Sequence, residues 1–314
     1  HAAAFALPTY QSAWLKTHYP AAFLAGVLTH DPGMYPKRLI VDEARQMGIT
    51  IAPLDVNASD SVYRVEDHGN AIRIALSTVS GISDAEVQSI IAGRPYIDLN
   101  DFVRRSGAST PVTESMILTG AFDALHDNVN RRDLLLHFSD LQKSPSAAVS
   151  GAQMNLGFEP PALISSGLPA MTAAESVKYE VDRLGIDMSR HMIEFYGDFL
   201  NAIGAVRSSD LLKQRSQSSV LVAGIKVAMQ TPPVRSGKRV IFLTLDDGYG
   251  CSDSTFFTDV QSEYANVLYS TSLLLVRGVT RRTGARGISI RATGAWDLRA
   301  AYESWSAKQS TLAI

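Results

Sequence analysis

Cysteine is almost missing from this 314-residue chain, with Cys251 the single example. One thiol excludes an internal disulfide and a multi-thiolate zinc site, and it fits a reducing, intracellular compartment. No apolar run approaches the roughly 18–20 residues of a membrane helix, and the N-terminus lacks the charged-then-apolar layout of a secretory signal, so no membrane partner is expected. Enzyme signatures are missing as well. There is no Walker loop and no H-E-x-x-H, and Gly81-Ile-Ser83-Asp-Ala85 lacks the closing glycine of a nucleophile elbow. Gly248-Tyr-Gly250 has two glycines where a dinucleotide fingerprint has three, and no helix follows at once. The seven histidines are scattered singly. A hydrolase finds no constellation here.

Apolar residues are abundant, 46% of the chain, and over this length they predict two or three domains. Helical spacing marks Tyr10–Tyr19 and Phe23–Leu28, with Pro20 and Pro32 as boundaries, and again Pro36 to Gly48. Short β-like stretches at Thr50–Val56 and Ala71–Leu76 precede further helices from Asp84 to about Leu141. Residues 142–172, rich in Ser, Pro, Gly and Ala, read as a linker. Helices return between Ala173 and Arg215. From Ser219 the pattern becomes five short strands, with turn chemistry at Arg235-Ser-Gly237, Asp247-Gly-Tyr-Gly250 and Thr283-Gly284. One helical stretch, Asp259 to Tyr269, separates the third strand from the fourth. Three strands, a helix and two strands is the layout of an OB-fold barrel. The expected fold is therefore mixed and multidomain: an all-α region with tandem helix-hairpin-helix motifs, then a five-stranded OB-fold β-barrel.

The formal charge of −2 conceals an uneven distribution. Residues 220–294 hold nine Lys/Arg against five Asp/Glu, a net +4, so the remainder carries −6. Within the barrel, Lys226, Lys238, Arg239, Arg277, Arg281 and Arg282 are candidate phosphate contacts. Phe242, Phe256 and Phe257 fit two roles, stacking platforms for bases or strand residues that alternation buries. The adjacent acids Asp246 and Asp247 point to opposite faces of a strand, which suits a turn better than a metal site.

The run from Leu76 to Ile91 has the form of a helix-hairpin-helix, with Gly81, Ile82 and Ser83 as the hairpin whose amides and following helix start approach a phosphate. A plain connection, with Ser83 as an N-cap and Glu86 completing a capping box, fits the same residues. A second copy is expected between Leu99 and Phe122, and Arg94, Arg104 and Arg105 are available for phosphates. Residues 71–141 contain nine acids to six bases, so any grip on DNA there is local. In the linker, Gln153, Met154, Leu156 and Phe158 form either a peptide that docks in a partner's apolar pocket or residues that pack back on their own domain.

Several runs resemble the C-family bacterial DNA polymerases, the DNA polymerase III α type. They are His1-Ala-Ala-Ala-Phe-Ala with Tyr10-Gln-Ser-Ala-Trp14-Leu-Lys16-Thr-His18-Tyr19-Pro20, then Ala44-Arg45-Gln-Met-Gly48 with Asp55-Val56-Asn57-Ala-Ser59. Gly120-Ala121-Phe122-Asp123-Ala-Leu125 and Phe242-Leu-Thr-Leu245-Asp246-Asp247 complete the set, and Asp31–Pro36 resembles the error-prone accessory branch or an actinobacterial paralogue. The resemblance covers nearly the whole chain in the family's order. It implies an end of the fingers domain at 1–70, a tandem helix-hairpin-helix domain at 71–141 and a linker with a clamp-binding peptide at 142–172. A helical connector at 173–218, an OB-fold at 219–299 and a C-terminal tail at 300–314 would follow. The start without Met reads as a cut from something longer. The palm with its magnesium would lie upstream, leaving this fragment with no cofactor and no activity alone. Implied partners are double-stranded primer–template DNA, single-stranded DNA at the OB-fold and the sliding clamp, in the cytoplasm at the nucleoid. The competing expectation is a free-standing OB-fold module for single-stranded nucleic acid.

Overall fold

Proline and glycine punctuate the first helices as their backbone chemistry requires. Pro20, which has no N–H to donate, opens helix α2 (Pro20–His30), whose Ala21, Leu24, Ala25 and Leu28 share one buried face. Helix α1 (Ala2–His18) precedes it and keeps Phe5, Leu7 and Tyr10 exposed. Helix α3 (Lys37–Gln46) ends in a Schellman motif: Gly48 N–H donates to Arg45 O (2.9 Å) and Ile49 N–H to Ala44 O (2.9 Å). The computed structural model describes residues 2–31, 33, 35–127, 129–143, 162–232, 239–285 and 287–312. Two compact units divide the chain, His1–Arg190 and His191–Ile314.

In the first unit the β-like stretches form a small sheet. Strand β1 (Thr50–Ala52) runs parallel to β3 (Ala71–Arg73), which pairs antiparallel with β2 (Arg64–Glu66), a strand the sequence pattern does not announce. Helices α4 (Asp84–Ala92), α5 (Leu99–Arg105), α6 (Thr110–Leu118), α7 (Arg131–Lys143) and α8 (Ala173–Leu184) follow. Their shared core is centred on an edge-to-face chain of Tyr96, Phe102 and Phe122, with centroids 5.0 and 4.9 Å apart.

In the second unit the strands close into a barrel of order β4-β5-β6-β8-β7. They are β4 (Ser219–Gln230), β5 (Ile241–Asp246), β6 (Cys251–Phe256), β7 (Leu273–Arg282) and β8 (Ile288–Asp297), with helix α11 (Thr258–Ser270) between the third and fourth. All pairs are antiparallel except β6 with β8, which is the OB-fold arrangement. Alternation sends Val220, Val222, Leu243, Leu245, Phe256, Leu274, Val276 and Ile290 inward, where Leu268 of α11 packs among them.

The outer face is divided. Helix α9 (Gly197–Ala202) and α12 (Leu298–Leu312) cover Ala223, Ile225, Leu273 and Leu275 with Phe199, Leu298, Tyr302 and Trp305. The stretch expected as a tail is thus largely this helix. The interval 173–218 is parted at Arg190, α8 belonging to the first unit and α9 with α10 (Ser208–Leu211) to the second. No helix among the described residues is long and apolar enough to cross a membrane.

Candidate nucleic-acid interface

Two hairpins of nearly identical sequence, Ser80-Gly81-Ile82-Ser83 and Ser106-Gly107-Ala108-Ser109, precede α4 and α6. Both middle glycines take positive φ, +81° at Gly81 and +67° at Gly107, a region that costs an L-residue roughly 1–2 kcal/mol. Ile82 and Ala108 point back and pack partly buried against the core, which fixes the depth of each hairpin. The amides of Gly81 and Gly107 take no internal hydrogen bond among the described residues. Helix α4 ties the hairpins together. Glu86 Oε2 accepts from Ser83 N–H (2.9 Å) and Ser83 Oγ (2.8 Å), while its Oε1 accepts from Ser109 N–H (2.9 Å). Ser89 Oγ donates to Ser106 O at 2.5 Å. The capping box at Ser83 and Glu86 is therefore present, and it sits inside a hairpin pair. Backbone hydrogen bonds from Ser83 and Ser109 hold the Glu86 carboxyl at about 2, well below the usual range.

The three arginines expected beside this surface divide by role. Arg94 donates its Nε to Val56 O (2.8 Å) and one Nη to Ser59 O, so its guanidinium props the 56–59 turn. Arg105 grips Asp101 and also donates to Gly93 O (2.5 Å) and Pro95 O (2.7 Å), with Tyr96 beneath it at 4.8 Å. That grip lowers the Asp101 carboxyl to about 2. Both side chains serve the fold, where phosphate contacts were expected. Arg104 is 74% exposed, with one 3.2 Å contact to Asp101, and is open to a ligand.

On the barrel, register places an outward row across four strands: Phe242 opposite Thr255, Thr255 opposite Arg291, Arg291 opposite Val279. Phe242 is 44% exposed near the start of β5. Phe256 is 0% exposed within the barrel core, so its expected role as a stacking platform is corrected: Ile241, Leu243, Leu245 and Phe256 fill the interior that Phe242 faces away from. Lys226 Nζ donates to Leu268 O (2.7 Å), fastening α11 to β4, and burial lowers its pKa. Arg239, Arg277 and Arg281 are exposed, Arg277 lying over Trp296 at 5.4 Å. Arg282 donates to the carbonyls of Leu212 and Gln214. Asp246 and Asp247 form the turn after β5: Asp246 accepts from Gly248 N–H (3.0 Å), and Asp247 accepts from Tyr249 N–H (3.0 Å) and Ser208 Oγ (2.6 Å). Lys238 and the peptide residues Gln153, Met154, Leu156 and Phe158 lie outside the described residues.

Sequence reasoning missed three features. The Ser-Gly-x-Ser repeat at 106–109 was legible as an internal copy of 80–83. The bridging role of Glu86 was not legible, because Ser109 lies 23 residues away in sequence. Arg291 was counted as charge without being placed on the face, a position that the register of β8 decides.

Residues 48–134 match the family model described as "Helix-hairpin-helix motif". Over 92% of its length the chain is 31% identical to the error-prone DNA polymerase of Symbiobacterium thermophilum, covering 31% of that protein. It is 30% identical over 91% of its length to the error-prone DNA polymerase of Bdellovibrio bacteriovorus, covering 28% of it. With the DNA polymerase III subunit alpha of Vibrio cholerae it shares 29% identity over 98% of its length, again 28% of the relative. The chain is homologous to a part of these DNA polymerases. It spans about three tenths of the length of the curated relatives it matches. The helix-hairpin-helix match takes in both Ser-Gly-x-Ser hairpins, α4, α5 and α6.

Proposed function

We propose that this chain is the DNA-holding part of a DNA polymerase III α-type subunit that works in replication or translesion repair synthesis. The hairpin pair grips the backbone of primer–template duplex, the barrel takes single-stranded DNA, and Gln153–Phe158 docks on the sliding clamp. Nucleotidyl transfer and its magnesium ions belong, on this reading, to the palm of the whole polymerase.

The observation that carries the duplex grip is the pair of glycine amides, each at the crest of a hairpin, without an internal partner among the described residues and next to a helix start. Such amides suit an anion, because backbone N–H dipoles and the helix terminus both favour negative charge. The fit is local. Nine acids against six bases across residues 71–141 give no broad positive field, so the grip is a matter of hydrogen-bond geometry at one or two phosphates. The homology to DNA polymerases supports the same assignment, and the net +4 of residues 220–294 supports a separate strand-binding surface on the barrel.

The test is binding of a fluorescent primed duplex by the purified chain carrying Gly81→Ala and Gly107→Ala. A charge-assisted hydrogen bond is worth about 1.5–3 kcal/mol, so misdirecting two amides lowers duplex affinity at least about tenfold while single-strand affinity stays unchanged. Unchanged duplex affinity with a native melting curve would remove the hairpins from the interface.

A further inference from the structure

We propose that the groove between the start of α11 and the outer face of β7 and β8 is a subsite for one nucleotide unit of single-stranded DNA, with Arg281 and Arg291 on the phosphate and Phe257 under the base. This rests on the reading of the barrel as a single-strand binder, and adds a site beyond the face that Phe242 occupies.

The cavity here measures about 730 Å³, within the range that holds small ligands, whereas the pocket beside Arg207 and Tyr249 measures about 120 Å³. Its walls carry the chemistry of a nucleotide. Phe257 is 39% exposed and presents its ring at the mouth, with the Arg291 guanidinium 5.5 Å from its centroid. Arg281 is exposed and takes no side-chain partner among the described residues. Helix α11, 13 residues long, begins at Thr258 and aims the positive end of its dipole at the same space. Among the described residues the one ion pair of Arg291 is with Asp259 at 3.4 Å, both side chains about three-fifths exposed, a pair loose enough for a phosphate to displace.

Register explains why a strand of DNA suits this groove. Phe242, Thr255, Arg291 and Val279 are consecutive cross-strand partners, so Phe242 lies two strands, about 10 Å, from Arg291. A polymer that alternates bases with phosphates can stack on Phe242, cross over Thr255 and place its next phosphate and base at Arg291 and Phe257. Asp259 stands at the phosphate position as a competing anion. It predicts a signature that a mere basic patch lacks: removing an acid from the groove tightens binding.

The experiment measures binding of a fluorescent oligothymidylate of about ten nucleotides to the full chain across a salt series. Arg281→Ala with Arg291→Ala is expected to weaken binding at least tenfold and to flatten the log–log salt slope by about 0.7, as loss of one neutralised single-strand phosphate requires. Phe257→Ala is expected to weaken it at least about fivefold, and Asp259→Asn to strengthen it two- to threefold. Phe242→Ala separates the proposals. If it weakens binding while the arginine, Phe257 and Asp259 variants leave it unchanged, the barrel binds DNA and the groove does not. If neither set has any effect, the barrel reading itself fails. Should the arginine pair abolish binding of an acidic peptide while sparing the oligothymidylate, the groove is a protein site and the proposal is overturned. Arg281→Ala alone, a change at an exposed side chain, keeps the test valid if Phe257→Ala fails to fold.

Discussion

Glu86 is the side chain on which stability and DNA binding should part company. Its carboxylate closes the capping box of α4 through Ser83 and reaches the N-cap amide of α6 at Ser109, so it joins both hairpins by hydrogen bonds of 2.8–2.9 Å. Gln at this position keeps one acceptor oxygen, enough for the box or for the bridge but not for both, and should cost about 1 kcal/mol. Ala loses both, at about 2 kcal/mol, the modest figures reflecting the exposure of the group. Each 1 kcal/mol lowers the melting temperature of a unit this size by about 2–4 °C. The carboxyl titrates at about 2 in the fold and near 4.3 when unfolded, so its stabilisation is fully present above about pH 4.3 and is lost as pH falls towards 2. The melting difference between wild type and Glu86→Ala should therefore shrink as pH falls from about 4 to 2 and vanish only below pH 2. DNA affinity should move the other way. A unit charge about 7 Å from a phosphate in high dielectric opposes binding by about 0.6 kcal/mol, so Glu86→Gln should raise duplex affinity two- to threefold at low salt. Thermal melts at pH 7 and pH 2 with duplex titration on the same proteins decide the matter. Equal melting of Glu86→Ala and wild type at pH 7, or a difference as large at pH 2 as at pH 7, would refute the bridge.

Two further outcomes are expected. Phe242→Ala should leave the barrel's melting temperature unchanged and weaken single-strand binding at least about fivefold, whereas Phe256→Ala, in the core, should cost about 3–5 kcal/mol of stability; circular dichroism melts beside oligonucleotide titrations separate them. Replacing Gln153, Leu156 and Phe158 together with Ala should leave the melting curve intact and abolish capture of the purified bacterial sliding clamp, since anchor truncations cost about 2 kcal/mol or more apiece. Clamp capture that survives the change would dismiss the peptide.

By itself the sequence determined most of the secondary elements and their order, with β2 and α12 the exceptions. Period-two alternation from Ser219 onward, broken by one helical stretch, predicted a five-stranded barrel whose strands fall within a few residues of the observed ones, because alternation is a local consequence of the pleat. Gly81 and Ser83 were legible as a hairpin and an N-cap for the same reason: backbone freedom and capping chemistry act over a few residues.

What the tertiary structure alone decided was the partner of each side chain. Arg94 and Arg105 have the composition of phosphate ligands, and only the fold shows them spent on backbone carbonyls and on Asp101. Phe242 and Phe256 are indistinguishable as residue types, and closure of the barrel sends one outward and the other to the centre. The Glu86 bridge to Ser109, and the meeting of Phe257 with Arg281 and Arg291 in one groove, join residues 20 or more positions apart. Local spacing carries no record of such meetings, because which side chains come together is fixed by strand register and helix packing, and those depend on the whole core at once.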